Sequence, residues 1–252
     1  IINVDDKNGR IMVQNTAAKV VTYSCCRMAD HCCRLLEETM EGMLLEIDGV
    51  QVWCPLIGRH NAYNVLAIYC AAVELGAGVQ DILVGLSKIG QVCGRLEQLK
   101  GPGDINVIID YAHTPDALRN VLQTLRKTAL SRTLTCVFGC GGDRDRSKRP
   151  EMGGIAAQLA DRVILTSDNS RTEKTIDILD AIKAGIKKED SRKVLSLEDR
   201  REAIRTAIIT AKSGEVILLA GKGHEDYQII GTEKRHFDEH EIVREIFDEL
   251  KD

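Results

Sequence analysis

The sequence predicts an α/β protein in two parts, the second built on a mainly parallel sheet. Three observations predict it. From Asn106 onward, short apolar strands alternate with helices, the pattern of a parallel sheet covered on both faces. Before residue 93 the pattern differs, with short β-like runs followed by two helices. Between the two, Cys93-Gly94-Arg95-Leu96-Glu97 and then Gly101-Pro102-Gly103 break both periodicities, which divides the chain into 1–93 and 94–252.

In the first part, Ile1 to Asp6 opens strand-like, and Arg10 to Gln14, Val20 to Ser24, Met43 to Ile47 and Gln51 to Pro55 read as strands. Asp48-Gly49 is a hairpin turn between the last two. Asn61 to Leu75 reads as an apolar helix stopped by Gly76 and Gly78, and Val79 to Ile89 as a second. In the second part, Val107–Ile109, Leu134–Phe138, Val163–Thr166 and Val216–Ala220 are strands. Helices are predicted over Asp116–Thr128, where Leu118, Val121, Leu122 and Leu125 share a face, and over 151–160, 175–186, 199–212 and 239–250. A short hairpin, 228–230 with 235–237, precedes the last helix.

Composition narrows the function classes. The chain has 252 residues and a net charge of −4, which argues against general nucleic-acid binding. No apolar run approaches the ~20 residues of a membrane span, and no signal segment opens the chain. Nine cysteines without a CxxC pair predict free thiols in a reducing, cytosolic compartment, and no zinc site. The chain begins without an initiator methionine, so an N-terminal part of a longer protein is expected to precede it.

Each of the four strands in the second part ends in a polar or glycine-rich loop. These are Asp110 to Pro115, Gly139 to Arg146, Ser167 to Glu173 and Gly221 to Tyr227. Ligands of open parallel sheets sit beyond the carboxyl ends of the strands, so four such loops point to one binding edge. Arg144 and Arg171 carry guanidinium forks that match carboxylates, and Asp168, Asn169 and Glu225 suit ammonium groups. Together they fit an amino acid with several carboxylates and amines. The bland reading is surface ion pairing. Asp110 and His113 follow the first strand, and the histidine suits a base, a phosphate contact or a cap. His224 suits an orienting hydrogen bond in its loop. Asn61 and Asn64, three apart at a helix entrance, suit helix capping or contacts to a purine or ribose. No GxxxxGK[ST] and no GxGxxG occurs, and Gly221-Lys222-Gly223 lacks the phosphate-loop spacing.

Asp110-Tyr111-Ala112-His113-Thr114-Pro115-Asp116-Ala117-Leu118, Phe138-Gly139-Cys140-Gly141-Gly142-Asp143-Arg144-Asp145, Lys148-Arg149-Pro150 and Gly221-Lys222-Gly223-His224-Glu225 closely resemble the Mur ligases. The match runs nearly end to end from Asn3-Val4-Asp5-Asp6, and is nearest to the tripeptide-synthetase members. The resemblance implies a peptidoglycan-building amide ligase that uses ATP and Mg2+. ATP phosphorylates the carboxylate of UDP-MurNAc-L-Ala-D-Glu, and the amine of a third amino acid attacks the acyl phosphate. It implies that 1–93 is the C-terminal part of an α/β ATPase central domain, and that 94–252 is a Rossmann-like, amino-acid-binding last domain. The family's P-loop, magnesium ligands and carbamylated lysine fall upstream of Ile1. No catalytic residue or metal ligand is therefore assigned, and the piece alone is expected to be inactive.

The same resemblance places Asn61, Asn64, Arg95, Asp110 and His113 at ATP. It places Arg144, Asp168, Asn169, Ser170, Arg171, Gly221 and Glu225 at the amino acid. Members that add meso-diaminopimelate carry Asp-Asn-Pro-Arg, where this chain has Asp168-Asn169-Ser170-Arg171. The retained arginine implies meso-diaminopimelate. A lysine-adding or folylpolyglutamate-type ligase and a non-catalytic scaffold subunit are the rivals. A cytoplasmic monomer without nucleic-acid or membrane partners is expected.

Overall fold

The computed structural model describes residues 1–129 and 132–251. It comprises two compact units, Ile1–Gln91 and Val92–Asp252. In the first, β1 (Ile2–Asn3), β2 (Thr22–Ser24), β3 (His31–Thr39), β4 (Gly42–Ile47) and β5 (Val50–Cys54) form one sheet in chain order. The first three are parallel and the last three antiparallel. Asp48 and Gly49 form the predicted turn. Ile47 pairs with Val50, and both turn residues take positive φ, 47° and 83°, as a tight hairpin of the type I′ kind requires. Helices α1 (Arg59–Glu74) and α2 (Val79–Ser87) bury Val65, Leu66, Tyr69, Leu83 and Leu86 against Met43, Leu45 and Ile47 of β4.

One strand expectation fails in this unit. Arg10 to Gln14 is no strand, and Ile11–Val13 forms a 3-10 turn with Ile11 and Met12 exposed. β-Branched residues make a strand only beside a partner they pack on. Conversely β3 was not predicted. A register shift between Leu35 and Glu37 breaks its period of two, and the adjacent Cys32-Cys33 and Leu35-Leu36 hide the alternation.

The second unit contains β6 (Glu97–Lys100), β7 (Asn106–Asp110), β8 (Leu134–Phe138), β9 (Arg162–Leu165), β10 (Val194–Ser196) and β11 (Val216–Ala220), in the order β10-β9-β8-β11-β7-β6. All pairings are parallel except β6 with β7. The α/β fold with a mainly parallel sheet is thus as predicted. The two edge strands, β6 and β10, were not foreseen, since three or four residues beside glycine or charge carry little periodicity.

Among the described residues, the α-helices of the unit are α3 (Pro115–Thr128), α4 (Lys148–Leu159), α5 (Thr175–Lys183), α6 (Arg200–Ile209) and α7 (Glu239–Glu249). Ile109, Val137, Ile164 and Leu219 face α6 and α7 through Ile204, Ile208, Val243 and Phe247. The alternate residues Ile108, Cys136 and Leu218 are equally buried, so both faces are covered. The hairpin β12 (Tyr227–Ile230) and β13 (Glu233–His236) lies beyond β11.

Helices α3, α6 and α7 start at side-chain caps. Thr114 Oγ1 accepts the Ala117 amide ahead of Pro115, Asp199 accepts that of Glu202, and Asp238 accepts those of His240 and Glu241. In chain order the four loop-bearing strands run β7, β8, β9, β11, but side by side they run β9, β8, β11, β7. The loops 111–114, 139–147, 166–174 and 221–226 therefore leave one edge of the sheet as neighbours.

Candidate functional site

Those loops enclose a cavity of about 540 Å³. Arg144, Asp168, Asn169, Arg171, Gly221 and Glu225 line it, together with His113, Lys148 and Tyr227. The two arginines share a wall. A Cβ on Gly141 would lie 3.0 Å from Arg171 Nη1 and 3.6 Å from Arg144 Cγ, so this glycine leaves room for both side chains.

The β8 and β9 loops are stapled together beneath them. Arg149, only 2 % exposed, donates through both terminal nitrogens to Glu173 at 3.0 and 2.8 Å. Glu173 Oε1 also accepts the Asp143 amide at 2.7 Å, and Arg146 pairs with Oε2 at 2.9 Å. The Arg149 hydrogen bonds lead in holding the Glu173 carboxyl down at about 2. Asp143 returns the link, accepting the Thr172 hydroxyl at 2.7 Å. The crossing is close enough that a Cβ on Gly142 would stand 1.9 Å from the Ser170 carbonyl oxygen.

Arg171 adopts φ 50°, left-handed backbone that residues with a Cβ seldom take. It is held there because its amide donates to the Ile229 carbonyl at 3.2 Å and its carbonyl accepts from Gly231 at 2.8 Å. Its Nη1 donates to the Gly142 carbonyl at 2.9 Å. Ser170, where the family's diaminopimelate pattern has proline, is buried and does not line the cavity.

Lys222 was the residue that sequence reasoning missed. Its ammonium is wholly buried, 3.4 Å from Asp168 Oδ1 and 3.7 Å from Glu225 Oε2. It donates to the Tyr227 carbonyl at 2.6 Å and to Asn169 Oδ1 at 3.3 Å. Burial pulls its pKa down, against the pull of Asp168. Asp168 Oδ1 has no hydrogen-bond partner, so that contact is ionic at 3.4 Å. Asn169 orients the other acid, donating Nδ2 to Glu225 Oε2 at 3.0 Å and accepting the Ile229 amide at 2.8 Å. The signal was the Gly-Lys-Gly at the end of a buried strand, set aside for want of phosphate-loop spacing.

The residues assigned to ATP are not gathered in this cavity. Only His113 of that set lines it, with Nδ1 2.8 Å from the Tyr111 carbonyl. Asp110 is buried at the end of β7 and accepts the amides of Leu96 and Ala112, each at 2.8 Å. Exposed Arg95 lies over the Tyr111 ring, 5.2 Å from its centroid, and His224 packs against that same ring. Asn61 and Asn64 belong to α1 of the first unit. The capping reading for them fails. The N-cap is Gly58, which makes no side-chain cap bond, and Asn61 Nδ2 instead donates to the Ile57 carbonyl at 2.8 Å. Asn64 Nδ2 donates to Asn61 Oδ1 at 3.1 Å.

Magnesium prefers a shell of oxygen ligands. Among the described residues, one group of His, Cys, Asp and Glu side chains stands close enough to hold a metal ion, namely Cys93, Glu97 and His240. A thiol and an imidazole do not suit magnesium, and no magnesium ligand is assigned to this chain.

Residues 94–223 match the glutamate ligase domain of the Mur ligases, and residues 1–72 match the Mur ligase middle domain. A protein of Cytophaga hutchinsonii named UDP-N-acetylmuramoyl-L-alanyl-D-glutamate--2,6-diaminopimelate ligase is 48% identical over 99% of this chain and 51% of its own length. A namesake from Parabacteroides distasonis is 49% identical over 98% of this chain and 51% of its own length. The chain thus spans about half the length of the curated relatives it matches. A solved structure bearing that ligase's name superposes with a TM-score of 0.71 at 37% identity, covering 99% of this chain and 53% of that one. MurF from Acinetobacter baumannii reaches 0.74 at 17% identity over 98% of this chain and 51% of its own, a likeness of fold alone. The glutamate-ligase-domain match contains the loops that carry Arg144, Asp168 and Arg171, and the chain belongs to the Mur ligase family.

Proposed function

We propose that this chain is the amino-acid-receiving part of a cytoplasmic, ATP-dependent ligase that joins meso-diaminopimelate to UDP-MurNAc-L-Ala-D-Glu in peptidoglycan synthesis. The observation that carries the reading is that Arg144 and Arg171 line one cavity together with Asp168 and Glu225. Meso-diaminopimelate has two carboxylates and two amines, so it offers a partner to each pole. The arginines hold the far carboxylate bidentately, and Asp168 and Glu225 hold an ammonium group. The remaining amine, once neutral, attacks the acyl phosphate that ATP has made on the nucleotide peptide. The new amide C–N bond forms as the C–O bond to phosphate breaks, and the amine proton leaves to solvent.

Asn61, Asn64, Arg95, Asp110 and His113 are proposed to meet ATP. The names of the curated relatives support the substrate pair. The chain contains no GxxxxGK[ST], and by itself it is proposed to turn over no ATP. Substrate-dependent ATP hydrolysis by the isolated chain would refute that part.

The amino-acid assignment is tested with Arg171→Ala in the full-length enzyme. A lost charge-assisted hydrogen bond costs about 1.5–3 kcal/mol, so kcat/KM for meso-diaminopimelate falls roughly 10- to 150-fold. The value for lysine, which has no far carboxylate, stays within about twofold on the same reasoning. Equal losses for both would remove diaminopimelate as the favoured substrate.

A further inference from the structure

Away from that cavity, three metal-binding atoms converge where β6 begins beside the start of α7. The ligand atoms of Cys93, Glu97 and His240 all lie within 4.8 Å of one another. His240 Nε2 is 2.8 Å from Glu97 Oε2 and 4.0 Å from Cys93 Sγ. The histidine is 143 and 147 residues from the other two, so no spacing pattern in the chain reveals the group.

The surroundings are those of a cation site. His240 Nδ1 lies 3.0 Å from Asp238 Oδ1, so it donates its proton to that carboxylate. The Nε2 lone pair of a neutral ring then faces the Glu97 carboxylate at 2.8 Å. Two acceptors that close need a positive charge between them, either a proton or a metal ion. A carboxylate on the far nitrogen is also the usual partner of a metal-bound histidine, fixing its tautomer and raising its basicity.

Two of the three ligands are already held in place. Glu97 Oε2 accepts the Gly94 amide at 2.8 Å, and His240 sits in the first turn of α7 with its own amide on Asp238 at 2.7 Å. Glu97 and His240 are mostly covered, while Cys93 is exposed and can close the remaining gap.

We propose that Cys93, Glu97 and His240 bind one zinc ion, with the fourth position open to water beside the exposed thiol. The mixed sulfur, nitrogen and oxygen donors suit zinc and exclude magnesium or calcium. Tetrahedral zinc with ordinary bond lengths sets its ligands roughly 3.3–3.8 Å apart. That falls between the 2.8 and 4.0 Å separations from His240 Nε2, and the third pair lies within 4.8 Å, so shifts of roughly half to one ångström, taken up mostly by the exposed Cys93, complete the site. Coordination displaces two protons to solvent, the thiol proton and the one between His240 and Glu97, and leaves Cys93 as thiolate. The ion then ties the second residue of the 92–252 unit to the start of α7.

The test uses the reduced, chelator-stripped full chain and zinc alone, titrated against a chromophoric chelator. One equivalent binds, and Cys93→Ser and His240→Gln each weaken it at least about tenfold. Cys26→Ser removes the other exposed thiol and leaves binding unchanged. Cobalt(II) in place of zinc gives a thiolate charge-transfer band that Cys93→Ser abolishes. Thermal melts of both variants show that they remain folded. Stoichiometric binding that survives Cys93→Ser and His240→Gln, or no binding by the reduced parent chain, overturns the proposal and leaves a proton between His240 and Glu97.

Discussion

Lys222 Nζ lies 3.4 Å from Asp168 Oδ1 with no part of the lysine exposed to solvent. A buried ammonium persists only where neighbouring charge offsets its lost hydration, and here Asp168 and Glu225 supply that charge. The same pairing fixes where the two acids stand in the candidate amino-acid site. Lys222 is therefore a positioning residue beneath the cavity. Methionine keeps the length of the side chain and its contacts with the rings of Tyr227 and Phe237, but leaves Asp168 and Glu225 without their cation. Lys222→Met in the full-length enzyme is expected to raise KM for meso-diaminopimelate at least tenfold, on the order of 1.4 kcal/mol. An unchanged KM with a lowered melting temperature would make the lysine structural only.

Adjacent glycines are expected to fail in different ways. At Gly141 an added methyl meets a flexible guanidinium at 3.0 Å, which swings aside. Gly141→Ala should leave stability within about 0.5 kcal/mol while weakening amino-acid binding. At Gly142 the methyl meets the Ser170 carbonyl at 1.9 Å, which cannot move without its loop. Gly142→Ala should cost about 1–3 kcal/mol in urea unfolding as well as activity. Equal effects on stability would contradict the crossing geometry.

Acid stability carries a signature of the loop staple. The Glu173 carboxyl is held at about 2, below its ordinary 4.5, chiefly by Arg149. A depressed acid stabilises the fold fully above its unfolded value, and that contribution is lost as pH falls from 4.5 toward about 2. Glu173→Gln should lower stability at neutral pH and flatten the decline over that acid range. Chemical unfolding from pH 7 to pH 2 reads both.

A second buried pair holds the strand ends. Arg200 and Glu239 are each fully enclosed and meet at 2.8 Å. Arg200 also donates to the Ser167 carbonyl at 3.1 Å and the Ala220 carbonyl at 2.9 Å, where the β9 and β11 loops begin. Arg200→Met strands an unpaired buried carboxylate, and should cost about 3–5 kcal/mol by urea unfolding. Arg200→Met combined with Glu239→Leu should recover much of that loss.

The Asp48-Gly49 hairpin, the buried strands β7, β8, β9 and β11 and the helices between them were legible because local rules decide them. Alternation, capping residues and turn chemistry act over a few neighbours. The motif residues at the strand ends were legible for the same reason. β3 escaped because its bulge erases the period of two, and Ile11–Val13 misled because a strand needs a partner that no local pattern announces.

The chain by itself determined that four polar loops follow four buried strands, and that Arg144, Arg171, Asp168 and Glu225 stand among them. Only the tertiary structure decided that β11 enters between β8 and β7, and that Lys222 lies buried against Asp168. The physical reason is reach. Parallel pairing and charge neutralisation join residues tens of positions apart, and their partners are chosen by packing in space rather than by spacing along the chain.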